Sequence, residues 1–180
     1  MDHYACWGRP ATERDIDAIS AIYQEIHAAE AEGKACAGWQ AGVYPVRATA
    51  EAALRRGDLF ALTDGDTVVG AAIINHVQMP AYAQIHWTRD AKEEEVMVLH
   101  TLVISPRLAR RGYGTAAVAF YEDWARKNGC LCLRMDTNIH NVTARALYRK
   151  LGYREMEVVD CPFNGIASIP LLMLEKTLEG

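Results

Sequence analysis

Three features are missing from this sequence, and each absence excludes a class of protein. No apolar run reaches the roughly 18 residues that a membrane span requires, and the longest is the stretch VVGAAII at 68–74. The amino terminus has no basic stretch followed by an apolar run, so it shows no export signal. A net charge of −4 leaves no general basic surface for nucleic acid. We expect a soluble, cytoplasmic protein with no membrane and no nucleic-acid partner.

Disulfides and metal sites have little support in the sequence. The five cysteines are odd in number and include no C-x-x-C pair, which fits reduced thiols in a reducing compartment. The six histidines show no metal-ligand spacing, so we expect no metal. With 180 residues, 51% of them apolar, the chain suits one hydrophobic core and is too short for two. We expect a single domain over residues 1–180.

Hydrophobic periodicity predicts a chain in which strands and helices alternate. A helix should begin after Thr12, and an Asp64-Gly65 turn should join the two strands of a hairpin. A strand that is apolar on both faces, VMVLHTLVI, should end before Pro106. The predicted strands are 5–9, the two hairpin strands, 96–104, 130–137, 154–160 and 169–178, and the predicted helices are 12–33, 49–57, the segment from about 111 to 128, and 141–152.

The segment ARRGYGTAAVAFYEDWARKNG, residues 109–129, places arginines and glycines at the start of a helix. The first helical turn leaves backbone N–H groups unpaired, and the helix dipole favours an anion there. Glycine lets a phosphate approach these amides closely, whereas the alternative is that both glycines merely relieve crowding against a sheet. The Rossmann fingerprint needs a third glycine, and a Walker loop needs a lysine. A polyphosphate other than a dinucleotide or a simple nucleoside triphosphate is therefore indicated.

Residues 96–154 combine a strand ending in x-P, a G-x-G turn that opens a helix, a further strand, and the pattern N-x-x-A-x-x-L-Y-x-K-x-G-Y. This ordered set resembles the GCN5-related N-acetyltransferase (GNAT) family. The resemblance implies an α/β fold with a mixed, largely antiparallel central sheet of about six or seven strands and helices on both faces. It also implies transfer of an acetyl group from acetyl-CoA to a primary amine by direct attack in a ternary complex.

The resemblance assigns cofactor contacts by position. Main-chain groups of Leu102, Val103 and Ile104 would hold the pantetheine arm, and a main-chain N–H near Leu102 would meet the developing oxyanion. Asn141, Ala144 and Tyr148 share one helix face, with Tyr148 as the general acid for the departing thiolate. The remaining expected cofactor contacts are Arg107, Arg110, Arg111, Gly112, Tyr113, Gly114, Thr115 and Lys150. At Ala109 the family usually has glutamine or arginine, so Arg107 or Arg110 would have to substitute.

The sequence offers more than one candidate for the general base and for the walls of the acceptor pocket. His100 and Glu95 are the candidate bases, and strict alternation places His100 on the face of Val98 and Leu102. A strand histidine or a helical tyrosine is also a common core residue. The acceptor pocket should use the irregular stretches GWQAGVYPVR, the segment around Tyr82, and CPFNG, with Trp39, Tyr44 and Trp87 as candidate wall residues.

Two functions fit these observations. The first is an acetyl-CoA-dependent N-acetyltransferase acting on an unidentified amine. The alternative is a non-catalytic acyl-CoA-binding sensor or interaction module, which would keep the phosphate turn without needing Tyr148. A homodimer through the last strands is a further expectation from the resemblance, although the apolar stretch IPLLML would equally suit an internal strand.

Overall fold

The computed structural model describes residues 6–163 and 165–179, so the predicted strand position Ala5 lies outside the described residues. The described chain forms seven strands and four α-helices. The strands are Cys6–Pro10 (β1), Leu59–Asp64 (β2), Thr67–Asn75 (β3), Val96–Ile104 (β4), Cys132–Asn138 (β5), Arg154–Phe163 (β6) and Ile166–Thr177 (β7). The helices are Ile16–Ala31 (α1), Arg47–Arg56 (α2), Tyr113–Lys127 (α3) and Val142–Lys150 (α4).

The strands form one sheet in the order β1-β2-β3-β4-β5-β7-β6. Among the described strands, only the β4–β5 pair is parallel, and the other five pairs are antiparallel. The predicted mixed, largely antiparallel sheet of six or seven strands is therefore confirmed. The parallel pair is possible because α3 carries the chain from the end of β4 back to the start of β5.

Helices cover both faces of the sheet, as predicted. On one face, Met97 and Leu99 of β4 pack with Tyr121 of α3 and Tyr148 of α4. On the opposite face, Val103 of β4 packs in a cluster that also contains buried residues of α1 and α2. The apolar runs of β3 and β4 are thus buried on both sides, which explains why they lack a simple polar alternation. None of the helices in the described part of the chain is long and apolar enough to cross a membrane.

A β-bulge in β4 breaks the alternation on which one prediction depended. His100 pairs with Ile73 and Val103 pairs with Ala71, so Thr101 and Leu102 together oppose the single residue between those partners. Thr101 has φ 47°, which is strained for a β-branched residue. As a result Leu102 packs on the α3 face of the sheet. The prediction that Leu102 and His100 lie on the same face of β4 is therefore wrong.

The last hairpin also differs from its predicted form. Strand β6 continues through Phe163, so Cys161 and Pro162 are strand residues and not an irregular pocket wall. Position 164 of the CPFNG stretch lies outside the described residues. Local sequence signals favoured a loop here because Pro and Gly are close together, but pairing of Cys161 with Ile169 on β7 extends the strand.

Candidate functional site

A cleft opens where the two central parallel strands separate. β4 and β5 pair from Val96–Cys132 to Leu99–Met135, and both strands then continue without pairing to each other. The cleft has a volume of about 460 Å³. It is lined by the diverging strand ends, by the start of α4 and by the loop that follows α1. Beyond Leu99, the β4 residues that line the cleft therefore have no ladder partner on β5 among the described residues.

One wall of the cleft comes from α4, and it carries the three residues predicted to share a face. Asn141, Ala144 and Tyr148 all line the cleft. Asn141 also caps the helix, because its side-chain oxygen accepts a hydrogen bond from the Ala144 N–H at 3.2 Å. The local sequence therefore sets both where α4 begins and which of its residues face the gap.

The Tyr148 ring is buried, and its edge meets the Tyr153 ring with 5.9 Å between centroids. Burial, with a smaller contribution from the charge of Asp136, raises the pKa of Tyr148 to about 12. None of the described residues forms a hydrogen bond with its hydroxyl. At neutral pH this phenol is therefore protonated, and it stands in the cleft wall as a donor.

The predicted phosphate turn lies beyond the end of β4. Residues 102–104 line the cleft, and the chain then runs through a 3₁₀ turn, Pro106–Leu108, to the start of α3. Gly112 occupies the N-cap position with φ 81°, and Arg110 has φ 64°. Arg110, Arg111 and Gly112 are all exposed. The free amides at the start of α3 thus face solvent beside two arginines.

Three predicted contacts in this turn have other partners. Arg107 donates to Glu25 Oε1 at 2.6 Å, while the Ser105 hydroxyl donates to the other oxygen of Glu25. Tyr113 places its hydroxyl 2.5 Å from Asp64 Oδ2. A Cβ atom on Gly114 would lie 3.2 Å from Leu147. The second glycine therefore permits close packing of α3 on α4, which is the alternative that the sequence left open, and its contact with phosphate stays a prediction.

Asp136 of β5 is a cleft residue that the sequence analysis missed. Its Oδ2 atom accepts a 2.6 Å hydrogen bond from the Tyr82 hydroxyl. Burial raises the pKa of this carboxyl from 3.8 to about 6, although the Tyr82 hydrogen bond acts in the opposite direction. Its neighbour Met135 packs on the Tyr148 face, whereas Tyr82 lies on the other face of the sheet. The signal was present in the strand pattern, since a charged residue within an apolar strand is unusual.

His100 lines the cleft, and Asn75 of β3 holds its ring in place. Asn75 Oδ1 accepts from the Val77 N–H at 2.9 Å, which identifies that atom as the oxygen. The same oxygen lies 2.8 Å from His100 Nε2, so Nε2 must be the donor and Nδ1 is left unprotonated. Asn75 in turn donates to Asp58 at 2.9 Å. Burial lowers the pKa of His100 to about 4, against the opposing effect of the Asp58 charge.

The loop at 34–46 crosses the gap between the strand ends. Glu30 of α1 accepts hydrogen bonds from the Ala37 and Gly38 amides at 3.0 and 2.7 Å. A Cβ atom on Gly38 would come within 2.4 Å of the Asn138 side chain on β5. At the other side of the gap, the Tyr44 hydroxyl contacts the Thr101 hydroxyl. Of the aromatic residues predicted for the acceptor wall, Trp39 lines the cleft directly, and Tyr44 reaches its edge through Thr101.

Three other predicted site residues are not brought to the cleft. Glu95 lies before β4, about 16 Å of strand from His100, and its carboxylate accepts from the Lys92 N–H. Trp87 donates to the Tyr82 carbonyl and stacks under Arg134. Lys150 is exposed at the end of α4, away from the cleft lining. The chemistry of these side chains suited the predicted roles. Their positions, however, are set by the direction of β4 for Glu95 and by the length of α4 for Lys150.

The described ranges, 6–163 and 165–179, contain no cluster of metal-ligating side chains. There, no three His, Cys, Asp or Glu side chains are grouped so that they could hold a metal ion. The cysteines whose side chains are described carry free thiols, and Cys130, Cys132 and Cys161 are buried.

Sequence comparison identifies the family. The model of the acetyltransferase (GNAT) family matches residues 17–153. The uncharacterized N-acetyltransferase YhfO of Bacillus subtilis is 34% identical over 62 residues, which are 34% of this chain and 42% of that protein. The chain spans between 33% and 50% of the length of the curated relatives it matches.

Structure comparison covers nearly the whole chain. A GNAT-family acetyltransferase from Streptococcus agalactiae has a TM-score of 0.81 at 22% identity, and the match covers 99% of both chains. The yncA structure from Salmonella typhimurium, solved with its cofactor acetyl-CoA, has a TM-score of 0.68 at 16% identity and covers 97% of this chain and 95% of that one. These matches establish a shared fold.

Proposed function

The chain belongs to the GNAT family of acetyltransferases, and from this premise we propose that it transfers an acetyl group from acetyl-CoA to a primary amine. The observation that carries the proposal is the pair of groups in one cleft: the protonated Tyr148 phenol on the α4 side and the Asp136 carboxylate on the other. A proton donor for the leaving group and a proton acceptor for the nucleophile are what this reaction needs.

The residues present fit acetyl-CoA, which supplies the acetyl group as a thioester. In this proposal the exposed amides at the start of α3, with Arg110 and Arg111, hold the diphosphate. Arg107 is engaged by Glu25 and contributes less. Main-chain groups of residues 102–104 hold the arm, because this part of β4 has left β5 and lines the cleft. Asn141 and Ala144 face the same space from α4.

The proton steps follow from the positions of the side chains. The incoming ammonium would pass one proton through Asp136 to solvent, and the neutral amine would then attack the thioester carbonyl. As the tetrahedral adduct collapses and the C–S bond breaks, Asp136 would take the second nitrogen proton and the Tyr148 hydroxyl would give its proton to the sulfur. A main-chain N–H of β4 near Leu102, beside the bulge at Thr101, would meet the developing oxyanion. Solvent afterwards removes the proton from Asp136 and restores the one on Tyr148.

Asp136 is a better base than His100 for this step. A pKa of about 6 leaves the Asp136 carboxylate ionised at neutral pH, and it still retains more basicity than an exposed aspartate. A carboxylate also attracts the ammonium form of the incoming amine. His100, with a pKa of about 4, is neutral and less basic. In our proposal it shapes the acceptor side through its unprotonated Nδ1.

The proposal is tested by measuring CoA thiol release from acetyl-CoA with a panel of amines: kanamycin, spermidine, free amino acids and a peptide with a free amino terminus. We expect turnover with at least one amine. Tyr148→Phe should lower kcat by about 100-fold while acetyl-CoA still binds, because only the proton donor is lost. Tyr153→Phe is the matched control, since it alters the neighbouring ring outside the cleft.

Two outcomes would contradict the proposal. Tight acetyl-CoA binding without turnover on any amine would favour the acyl-CoA-binding module. Protection from thermal unfolding by ATP and not by CoA would assign the phosphate turn to a different ligand.

A further inference from the structure

Outside the cleft, a cluster of buried polar and aromatic side chains holds the segment 78–89 against the sheet. The cluster is defined by Tyr82, Trp87, Arg134 and Glu175. Tyr82 is 1% exposed, Arg134 is 4% exposed and Glu175 is 2% exposed. The proposed chemistry uses none of these residues, and the cost of burying an ion pair calls for a reason.

Arg134 holds this segment on both sides of Tyr82. Its guanidinium donates to Gln78 Oε1 at 2.8 Å and to the Arg89 carbonyl at 2.8 Å. It also pairs with Glu175 of β7 at 3.1 Å and lies 4.4 Å from the centre of the Trp87 ring. Five N–H groups in a fixed plane allow one arginine to make all these contacts.

Trp87 transmits this support to Tyr82. Its indole N–H donates to the Tyr82 carbonyl at 2.8 Å, and the two rings lie 5.4 Å apart. The Tyr82 hydroxyl then donates to Asp136 Oδ2 at 2.6 Å. Arg134 and Asp136 lie two residues apart on the same strand, so the cluster begins and ends on one face of β5.

We propose that Tyr82 is a positioning residue for Asp136: its hydroxyl occupies the Oδ2 atom, so that Oδ1 is the oxygen presented to the amine, and the Arg134–Trp87 stack holds Tyr82 in place. This inference rests on the proposed function, because it treats Asp136 as the base. A short hydrogen bond from a phenol stabilises the ionised carboxylate. It therefore keeps the base ionised at neutral pH in spite of its burial.

Other groups around Asp136 do not replace this contact. Tyr44 faces it from the loop at 34–46, Cys161 from β6 and Tyr148 from α4, and each of these groups feels the Asp136 charge. His100 lines the same cleft from β4. Among the described residues, Tyr82 donates the hydrogen bond that the Asp136 carboxylate accepts.

The test is a titration of the Asp136 carboxyl in the full-length resting protein, labelled with 13C aspartate and followed by NMR. The Asp136 signal is assigned by its disappearance in Asp136→Asn. We expect Tyr82→Phe to raise the carboxyl pKa by about one to two units, the size expected when a hydrogen bond to a charged group is lost. A pKa that is unchanged or lower would overturn the inference.

Tyr23→Phe is the matched control. Tyr23 is 1% exposed, and none of the described residues bonds its hydroxyl. Removing this hydroxyl should leave the Asp136 titration unchanged, and an equal shift in both variants would overturn the specific role of Tyr82.

Trp87→Phe provides a second variant if Tyr82→Phe fails to fold. It removes the N–H that holds the Tyr82 carbonyl but keeps a ring under Arg134, so we expect a smaller rise in the same direction. No rise would overturn the support role of Trp87. The proposed function fails by a different result: if Asp136→Asn transfers acetyl groups as fast as the native protein, Asp136 is not the base, whatever the titration shows.

Discussion

At the scale of single residues, the cleft contains two candidate bases whose pKa values are moved in opposite directions by the same cause. Burial disfavours the charged form of each group, so it raises the pKa of Asp136 to about 6 and lowers that of His100 to about 4. The two assignments therefore predict different pH dependence.

If Asp136 is the base, kcat/KM should fall as pH decreases below about 6, because the carboxylate becomes protonated. A dependence on His100 would instead place this loss near pH 4. The measurement is a pH–rate profile with one amine used throughout, so that ionisation of the acceptor contributes equally to every variant.

Two substitutions sharpen this test. Asp136→Asn should lower kcat/KM by at least about 100-fold. The pH–rate profile of the remaining activity should lose the acidic limb, which is the fall of kcat/KM below about pH 6. His100→Gln can still donate to Asn75 and should keep that limb. A limb that survives in Asp136→Asn and vanishes in His100→Gln would reverse the assignment.

At the scale of elements, the start of α3 depends on one glycine in a left-handed conformation. Gly112 has φ 81° and nothing within 4 Å of the position where a Cβ atom would lie. Gly112→Ala should therefore cost about 1 kcal/mol of stability through backbone strain alone. We also expect acetyl-CoA to bind about tenfold more weakly, because relief of the strain would turn the first amides of α3 away from the diphosphate.

Gly129, at the other end of the same helix, is the matched control for this prediction. It has φ 73° and equally open surroundings. Gly129→Ala should lose similar stability without weakening acetyl-CoA binding, measured by calorimetry. Equal loss of affinity in both variants would show that the effect is general destabilisation.

Elements whose signals are local were predictable from the sequence. The helix predicted at 141–152 is α4, which begins after Asn141, and the helix predicted from about 111 is α3, which begins after the glycine-containing turn. The bulge at Thr101 was not predictable, because it depends on the register between β3 and β4. Asp136 is visible in the sequence as a charged residue within an apolar strand, but its role was not predictable, because it depends on Tyr82, 54 positions away in sequence.

At the scale of the whole molecule, the site depends on two features of the parallel strands β4 and β5: they separate beyond Leu99–Met135, and α3 connects them. The parallel pair is joined by α3, so the amides at the start of that helix lie beside the end of β4. The gap then connects the α4 face, with Tyr148, to the opposite face, with Asp136. If hairpins connected all the strands, no helix would begin beside the end of β4.

Placing an ionised carboxylate in this gap should cost global stability, and the cost should depend on pH. The folded-state pKa of Asp136 is about 6, against an ordinary value of 3.8. The folded protein therefore binds this proton more tightly than the unfolded chain, so wild-type stability from this group is greatest at low pH and is lost as pH rises through 6. Above pH 6 the penalty approaches about 3 kcal/mol.

Asp136→Asn should remove that penalty, since the amide carries no charge and its oxygen still accepts from Tyr82. We expect the variant to unfold at higher denaturant concentration than the wild type at pH 8. Its advantage should shrink as pH falls from 6 to 4, because the wild-type carboxyl then becomes neutral in the folded protein. Urea unfolding curves at pH 4, 6 and 8 measure the difference. An advantage that stays constant across this range would mean that Asp136 does not titrate between these pH values, and the carboxylate would then lack the basicity that the proposed transfer requires.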